Sequence, residues 1–134
     1  MHVGIIIVDH GSRSSRSNEL LHELVVCFAR AFVNRYPIVE PAHMELADPD
    51  ITAAYARCVA RGAERIVICP FFLGPGKHWQ SDIPRLAADA AADSSVKEFI
   101  VAAPLGIDDL MLSLLDKRIS ESIEAQKAEE CVQN

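Results

Sequence analysis

The stretch Gly4-Ile5-Ile6-Ile7-Val8-Asp9-His10-Gly11 begins with an unbroken apolar run and ends on an acid, a histidine and a glycine. An unbroken run of branched apolar residues is typical of a strand that is buried on both faces in a parallel sheet. A glycine directly after a histidine lets backbone or ligand approach closely. This stretch therefore predicts a central strand whose carboxyl end carries functional side chains.

Outward from this strand, segments of strand length alternate with segments of helical periodicity. The predicted strands cover residues 4–8, 38–46, 65–72 and 99–103, and the predicted helices cover about 17–34, 50–62, 82–92 and 108–123. Pro41 interrupts the second strand, which a bulge or an edge position in the sheet would tolerate. The order βαβαβαβα predicts a three-layer αβα fold around a four-stranded, mainly parallel sheet.

The length of 134 residues has room for one hydrophobic core and not for two. We predict a single domain over residues 1–126 and a polar, frayed tail over 127–134. No apolar run approaches the roughly 18 residues of a membrane span, so we expect a soluble protein. No signal or transit peptide precedes the first strand, and removal of one from a precursor stays open. The net charge of −6 argues against nucleic-acid binding, which relies on a basic surface.

The four cysteines are far apart and show no metal-site or disulfide-framework spacing. We expect Cys27, Cys58 and Cys69 to be reduced, buried packing residues. Cys131 lies alone in the predicted tail.

Polar side chains gather where three predicted strands end. They lie in segments 9–13, 43–45 and 77–78, and ligands of open parallel sheets bind at this carboxyl edge. Strand alternation predicts that His43 and Glu45 share a side, although His43 is equally compatible with a packing role. His2 and His22 are expected to be ordinary histidines. Two neutral imidazoles with open coordination positions suit a borderline divalent metal or proton transfer, and the residues alone leave both open.

At these residues the sequence resembles the class II chelatases of the short CbiX/SirB type, and in particular the plant-type sirohydrochlorin ferrochelatases. The resemblance runs from Val3 to about Ile123, and it is carried by five stretches in the family's order: Val8-Asp9-His10-Gly11-Ser12-Arg13, Glu40-Pro41-Ala42-His43-Met44-Glu45-Leu46-Ala47, Pro70-Phe71-Phe72-Leu73, Gly76-Lys77-His78-Trp79 with Asp82-Ile83-Pro84, and Ala103-Pro104-Leu105-Gly106.

The resemblance implies a lyase that inserts Fe²⁺ into sirohydrochlorin to form sirohaem, with release of two protons. It further implies a chelatase-like half-module that pairs as a homodimer, and a plastid stromal location, or otherwise a cytoplasmic one. Carried over by position, His10 and His78 match metal-binding and catalytic residues, and Glu45 matches a catalytic residue on the substrate side. The resemblance places Glu45 on the substrate side and Leu73, Gly74, Pro75, Gly76 and Lys77 in a loop against the macrocycle. We also expect Arg13 and His43 to bind the substrate.

Plant-type members carry a cysteine-rich C-terminal extension associated with an iron–sulfur cluster. Cys131 is the one thiol in the matching region, and such a cluster takes four thiolates, so no cluster is expected.

Several alternatives remain open from the sequence. Cobalt or nickel insertion would use near-identical residues, because the affinity order of divalent metals does not favour iron. A non-catalytic metal or tetrapyrrole carrier fits the same residues. A histidine phosphotransfer enzyme also places His-Gly after its first strand, but with arginine where this chain has Asp9.

Overall fold

The computed structural model describes residues 2–74, 76 and 78–133, and for His78 and Trp79 it describes the backbone alone. Four strands and four α-helices alternate along these residues, with one π-helical turn before the third helix. The elements are β1 (Val3–Asp9), α1 (Ser15–Ala31), β2 (Ile38–His43), α2 (Ile51–Ala60), β3 (Arg65–Pro70), the π turn (His78–Asp82), α3 (Ile83–Ala92), β4 (Phe99–Val101) and α4 (Asp109–Gln133).

The strands form one parallel sheet in the order β2-β1-β3-β4, which confirms the predicted α/β fold. The run Ile5 to Val8 is buried because β1 lies between two neighbours and has helices on both sides. Pro41 lies in the edge strand, opposite Ile7, as its missing N–H requires.

The two faces of the sheet are covered unequally. On one face α2 and α3 pack over a large core, and Tyr55, Cys58 and Ile83 are almost completely buried there. On the other face α1 packs with Leu21 and Val25 against Ile5, Ile7 and Val39. The second core is smaller because it has a single helix.

The carboxyl ends of the strands meet at one edge. Asp9, the last residue of β1, pairs with His43, the last residue of β2, and Val8 pairs with Pro70 at the end of β3. Side-chain caps fix where the next helices begin, since Asp50 Oδ1 accepts the Ala53 N–H at 2.8 Å. The edge that was expected to carry function is therefore one continuous rim.

β2 is shorter than predicted, because it ends at His43 and not at Leu46. The His43 N–H donates to the Pro49 carbonyl, and Leu46 adopts a positive φ of 69° that turns the chain. Glu45 therefore lies in a loop and is exposed, whereas His43 is buried. The prediction that alternation places both side chains on the same side of a strand is wrong.

α4 also departs from expectation. It continues without a break through Gln133, so the frayed tail predicted over 127–134 is wrong over its described part. No residue of α4, all of which the structure describes, is buried. Cys27 is likewise exposed, while Cys58 is buried as predicted. None of the described helices is both long and apolar enough to cross a membrane.

Candidate active site at the carboxyl edge of the sheet

A buried hydrogen bond joins the ends of the two strands. The Nδ1 of His43 lies 2.6 Å from Asp9 Oδ1, and the His43 side chain is 0% exposed against 23% for Asp9. A buried imidazole is costly without partners, and a carboxylate is a strong acceptor for its N–H. The same oxygen accepts the backbone N–H of Gly11 at 3.0 Å. Asp9 thus fixes both the His43 ring and the loop that carries His10.

His22 is the residue that sequence reasoning missed. It was expected to be an ordinary helix-surface histidine, yet its Nε2 lies 3.4 Å from the Nε2 of His43. The tautomers of the two rings decide which Nε2 donates and which accepts in this contact. The available signal was helical spacing, since His22 follows Leu21, which faces the sheet.

Gly11 allows the two loops at the rim to touch. It has a φ of +86°, and a Cβ placed there would lie 1.9 Å from the carbonyl oxygen of Glu45. Backbone pairing between the two segments continues past the ends of β1 and β2. The Met44 N–H donates to the backbone carbonyl of Asp9 at 2.9 Å, and the Glu45 N–H donates to the backbone carbonyl of His10 at 3.2 Å. The backbones of His10 and Glu45 are therefore held side by side. We call residues 9–11 with 43–46 the β1–β2 rim.

The His10 side chain is exposed and lies flat against Phe72. The ring centroids are 4.1 Å apart and the planes differ by 19°. Phe72 is itself buried, so it gives His10 a fixed hydrophobic support. An exposed imidazole held in this way can present a nitrogen to a ligand with little loss of side-chain entropy.

The next loop is fastened to the start of α1. Ser12 N–H donates to Asn18 Oδ1 at 3.0 Å, and Asn18 Nδ2 donates back to the Ser12 carbonyl at 2.7 Å. Arg13 is exposed on this fastened loop, within three residues of His10. The fixed backbone of this loop thus places an exposed guanidinium beside the rim.

The loop after β3 forms the other side of the candidate site. Two backbone hydrogen bonds hold its start to the segment after β4. The Leu105 N–H donates to the Phe72 carbonyl at 2.9 Å, and the Gly106 N–H donates to the Leu73 carbonyl at 2.8 Å. Leu73 is 71% exposed and Gly74 is exposed as well. These two predicted substrate-binding residues have the accessibility that the prediction requires.

Part of the predicted site lies outside the described residues, namely Pro75, Lys77 and the side chain of His78. The His78 backbone opens the π turn, and Gln80 N–H donates to Gly76 at 3.0 Å. Among the side chains that the structure describes, no group of three or more His, Cys, Asp and Glu could hold a metal ion. The described site brings together His10, Glu45, Asp9 and His43. His43 has no exposed surface and lies behind Asp9. The predicted direct contact of His43 with substrate therefore finds no support in this arrangement.

Related proteins place this rim in context. The chain is similar to the chloroplastic sirohydrochlorin ferrochelatase of Arabidopsis thaliana, with 50% identity over 131 residues that make up 96% of this chain and 57% of that protein. It is also similar to the sirohydrochlorin cobaltochelatase of Sulfolobus acidocaldarius, with 27% identity over 92% of this chain and 95% of that protein. The chain thus spans little more than half of the plant relative.

Solved structures share the fold. A cobalamin (vitamin B12) biosynthesis CbiX protein from Marinobacter aquaeolei VT8 matches with a TM-score of 0.75 and 27% identity, over 92% of this chain and 98% of that one. SirB from Bacillus subtilis with Fe³⁺ matches with a TM-score of 0.79 and 26% identity, over 90% of this chain but 47% of that one. The CbiX family profile matches residues 4–122, which include all of the sheet except Val3 and the entire β1–β2 rim. This chain therefore belongs to the CbiX family.

Proposed function

We propose that this chain is a sirohydrochlorin ferrochelatase, a lyase that inserts Fe²⁺ into sirohydrochlorin to form sirohaem. The observation that carries the proposal is the exposed His10 ring, which is supported by Phe72 and held beside Glu45 at the carboxyl edge of the sheet. The ferrochelatase named for the similar plant protein supports iron as the metal and sirohydrochlorin as the macrocycle.

His10 and His78 are the proposed ligands of the incoming ion. Imidazole nitrogen suits a borderline divalent metal, and two protein ligands leave positions open for the macrocycle nitrogens. As Fe²⁺ bonds to the four ring nitrogens, two pyrrole N–H bonds break, so two protons must leave for each ion inserted. Glu45 is exposed beside His10 and is proposed to accept these protons one after the other, passing the first to solvent water before it takes the second.

The acidic macrocycle requires local positive charge on a protein whose net charge is −6. Arg13 and Lys77 are the proposed partners of its peripheral carboxylates. Leu73, Gly74, Pro75 and Gly76 are proposed to line the macrocycle on the side of the loop after β3. His43 is proposed to act through Asp9 by holding the loop that carries His10.

We also propose that two copies of the chain pair to form the working enzyme. The chain covers only 47% of the Bacillus subtilis SirB chain while matching its fold with a TM-score of 0.79, so one copy corresponds to half of that molecule. The plastid stroma is the proposed location, in keeping with the chloroplastic plant relative.

Cobalt or nickel insertion is the second candidate. The archaeal relative is named a sirohydrochlorin cobaltochelatase, and a SirB structure from Bacillus subtilis subspecies spizizenii contains cobalt. The protein ligands proposed here would accept any of the three ions, because the Irving–Williams order gives iron no advantage over cobalt or nickel.

Anaerobic absorbance spectroscopy tests the proposal, with sirohydrochlorin in excess and Fe²⁺, Co²⁺ or Ni²⁺ supplied in turn. The wild type should metallate many equivalents, and His10→Ala should lower kcat at least about 100-fold while the macrocycle still binds. His2→Ala is the matched control, since His2 is an exposed histidine away from the rim. Unchanged turnover by His10→Ala would contradict the site, and conversion of one equivalent per chain would indicate a carrier.

A further inference from the structure

Two imidazole rings meet where α1 passes the end of β2, and the proposed chemistry gives one of them, His22, no part. The Nε2 atoms of His22 and His43 are 3.4 Å apart. The ring centroids are 5.5 Å apart, well beyond the separation of these nitrogens, so the Nε2 corners face each other and the rings do not stack. The arrangement presents two ring nitrogens to the same small space.

The spacing of the two nitrogens suits a shared metal ion. Hydrogen bonds donated by protein N–H groups are usually about 3.0 Å long, so 3.4 Å is long for a direct bond between the rings. An imidazole nitrogen lies about 2.0–2.1 Å from a bound Zn²⁺, and two such nitrogens on a tetrahedral ion are therefore about 3.3–3.4 Å apart. The observed distance matches that of two ligands on one ion.

Asp9 orients His43 for this role. Its Oδ1 lies 2.6 Å from the Nδ1 of His43, and a proton on Nδ1 that points to this carboxylate leaves the lone pair of Nε2 on the side of His22. Histidines that bind metals nearly always have a carboxylate, a carbonyl or a water on the other ring nitrogen. The Asp9 carboxylate also supplies negative charge where a partly buried cation would otherwise be costly.

Both rings are carried by fixed backbone. The His43 N–H donates to the Pro49 carbonyl at 2.8 Å, and the buried Leu21, next to His22, packs α1 against the sheet. Ligands that are held in place in this way lose little entropy when they bind an ion. His43 has no exposed surface but His22 is partly exposed, so an ion can enter from the side of α1 and keep water on its other positions.

We propose that His22 and His43 form a second metal site, which holds a divalent transition ion such as Zn²⁺, Co²⁺ or Ni²⁺ between their Nε2 atoms. Imidazole suits these borderline ions, whereas Mg²⁺ and Ca²⁺ take oxygen ligands. The protein supplies two ligands and water supplies the others, since no group of three or more ligating side chains occurs in the described part of the chain. This ion resides in the fold and is not the one inserted, so the inference goes beyond the proposed function.

A bound ion stiffens the β1–β2 rim. It joins α1 to the end of β2, and His43 passes this restraint to Asp9, whose Oδ1 also accepts the N–H of Gly11. A ligand that binds the folded chain and not the unfolded one raises the stability of the folded chain. Zn²⁺ should therefore raise the temperature of unfolding even when the proposed ligands of the inserted ion are removed.

The test uses Zn²⁺ alone, without tetrapyrrole, on the full chain with His10→Ala and His78→Ala as background. These substitutions remove both proposed ligands of the inserted ion and leave His2, His22 and His43 as the histidines of the chain. Calorimetric titration should show a single Zn²⁺ bound per chain, and the unfolding temperature should rise with added Zn²⁺. In NMR spectra of the histidine rings, the signals of His22 and His43 should shift together while those of His2 stay in place.

Adding His22→Gln to the background separates a metal ligand from a hydrogen-bond partner. The glutamine amide can still hydrogen-bond to His43 but is a poor ligand, so the affinity for Zn²⁺ should fall at least about 10-fold. The rise in unfolding temperature should disappear with it. His2→Ala is the matched control and should change neither quantity, since His2 is exposed immediately before β1. Circular dichroism without metal checks that each variant is folded.

Two results would overturn the second site. One is a background chain that binds no Zn²⁺, and the other is a His22→Gln chain that binds it as tightly as the background does. Neither result affects the chelatase, which is assayed with His10 and His78 in place. A wild type that inserts no metal would refute the chelatase and leave the second site standing.

Discussion

The β1–β2 rim and α4 are opposite in how they are stabilised. In the rim, His43 Nδ1, Asp9 Oδ1 and the N–H groups of Gly11, Met44 and Glu45 all have partners within the same chain. In α4, the apolar side chains that would normally drive packing are exposed to water. The rim is completed by contacts within its own chain, whereas the apolar side chains of α4 are left exposed.

This difference predicts opposite responses to substitution. Changes at Asp9, Gly11 and His43 should cost folding free energy in the single chain, because hydrogen bonds and close packing connect these residues to one another and to the Glu45 backbone. Changes on α4 should leave the stability of the single chain almost unaltered, because exposed positions contribute little.

The largest effect is expected for Gly11→Ala. The new methyl would meet the Glu45 carbonyl at 1.9 Å in a backbone region that disfavours side chains, so the two loops must separate. Left-handed strain and overpacking together should cost about 4 kcal/mol, measured by urea unfolding followed by circular dichroism at fixed protein concentration. Metallation should fall with it, since His10 is the preceding residue.

Gly62→Ala separates clash from strain. Gly62 also has a positive φ, of +101°, but an added Cβ would meet nothing within 4 Å. It should therefore lose only about 1–2 kcal/mol and keep its activity. Equal losses at the two glycines would mean that contact with Glu45 does not constrain the rim.

Much of the fold could be predicted because it follows from local patterns. The run Ile5 to Val8 predicted a buried central strand, and the sheet shows one. The Pro41 interruption predicted either a bulge or an edge position, and β2 lies at the edge of the sheet. The caps at Asp48 to Asp50 placed α2 correctly. These features depend on burial and backbone chemistry within a few residues, which a sequence displays directly.

The site could be predicted only in part, since its details depend on contacts between distant residues. The early end of β2 results from a hydrogen bond between His43 and Pro49 and from the turn at Leu46. The approach of His22 to His43 joins a helix to a neighbouring strand across 21 residues. The exposure of α4 was missed because its apolar spacing is the same whether those residues are packed or exposed.

Substitutions at His43 should have the next largest effect. His43→Ala leaves a cavity and removes the N–H that Asp9 accepts, at a cost of about 3 kcal/mol. His43→Asn keeps an N–H donor toward Asp9 and gives up only the contact with His22, so about 1–2 kcal/mol is expected.

His22→Ala breaks that same contact from the other side and should cost about 1 kcal/mol or less, as His22 is only half-buried. Urea unfolding of the three variants under one set of conditions gives the order. If His22→Ala matches His43→Ala, the importance of Asp9 for the rim is refuted.

The last effect is confined to alkaline pH and concerns two cysteines that occupy contrasting positions. Burial raises the pKa of the Cys58 thiol from 9.0 to about 12, with a further contribution from the nearby Glu40 carboxylate that outweighs the opposing Arg61. The folded chain therefore holds this proton where the unfolded chain releases it, so the stabilisation is complete below pH 9 and is lost as pH rises toward 12. The wild type should lose on the order of 1 kcal/mol of unfolding free energy per pH unit from this group within that range.

Cys58→Ala should flatten this fall of unfolding free energy with pH, while Cys131→Ala, on the exposed end of α4, should reproduce the wild-type curve. If the unfolding free energies of Cys58→Ala and wild type fall in parallel with pH, burial does not raise the pKa of this thiol.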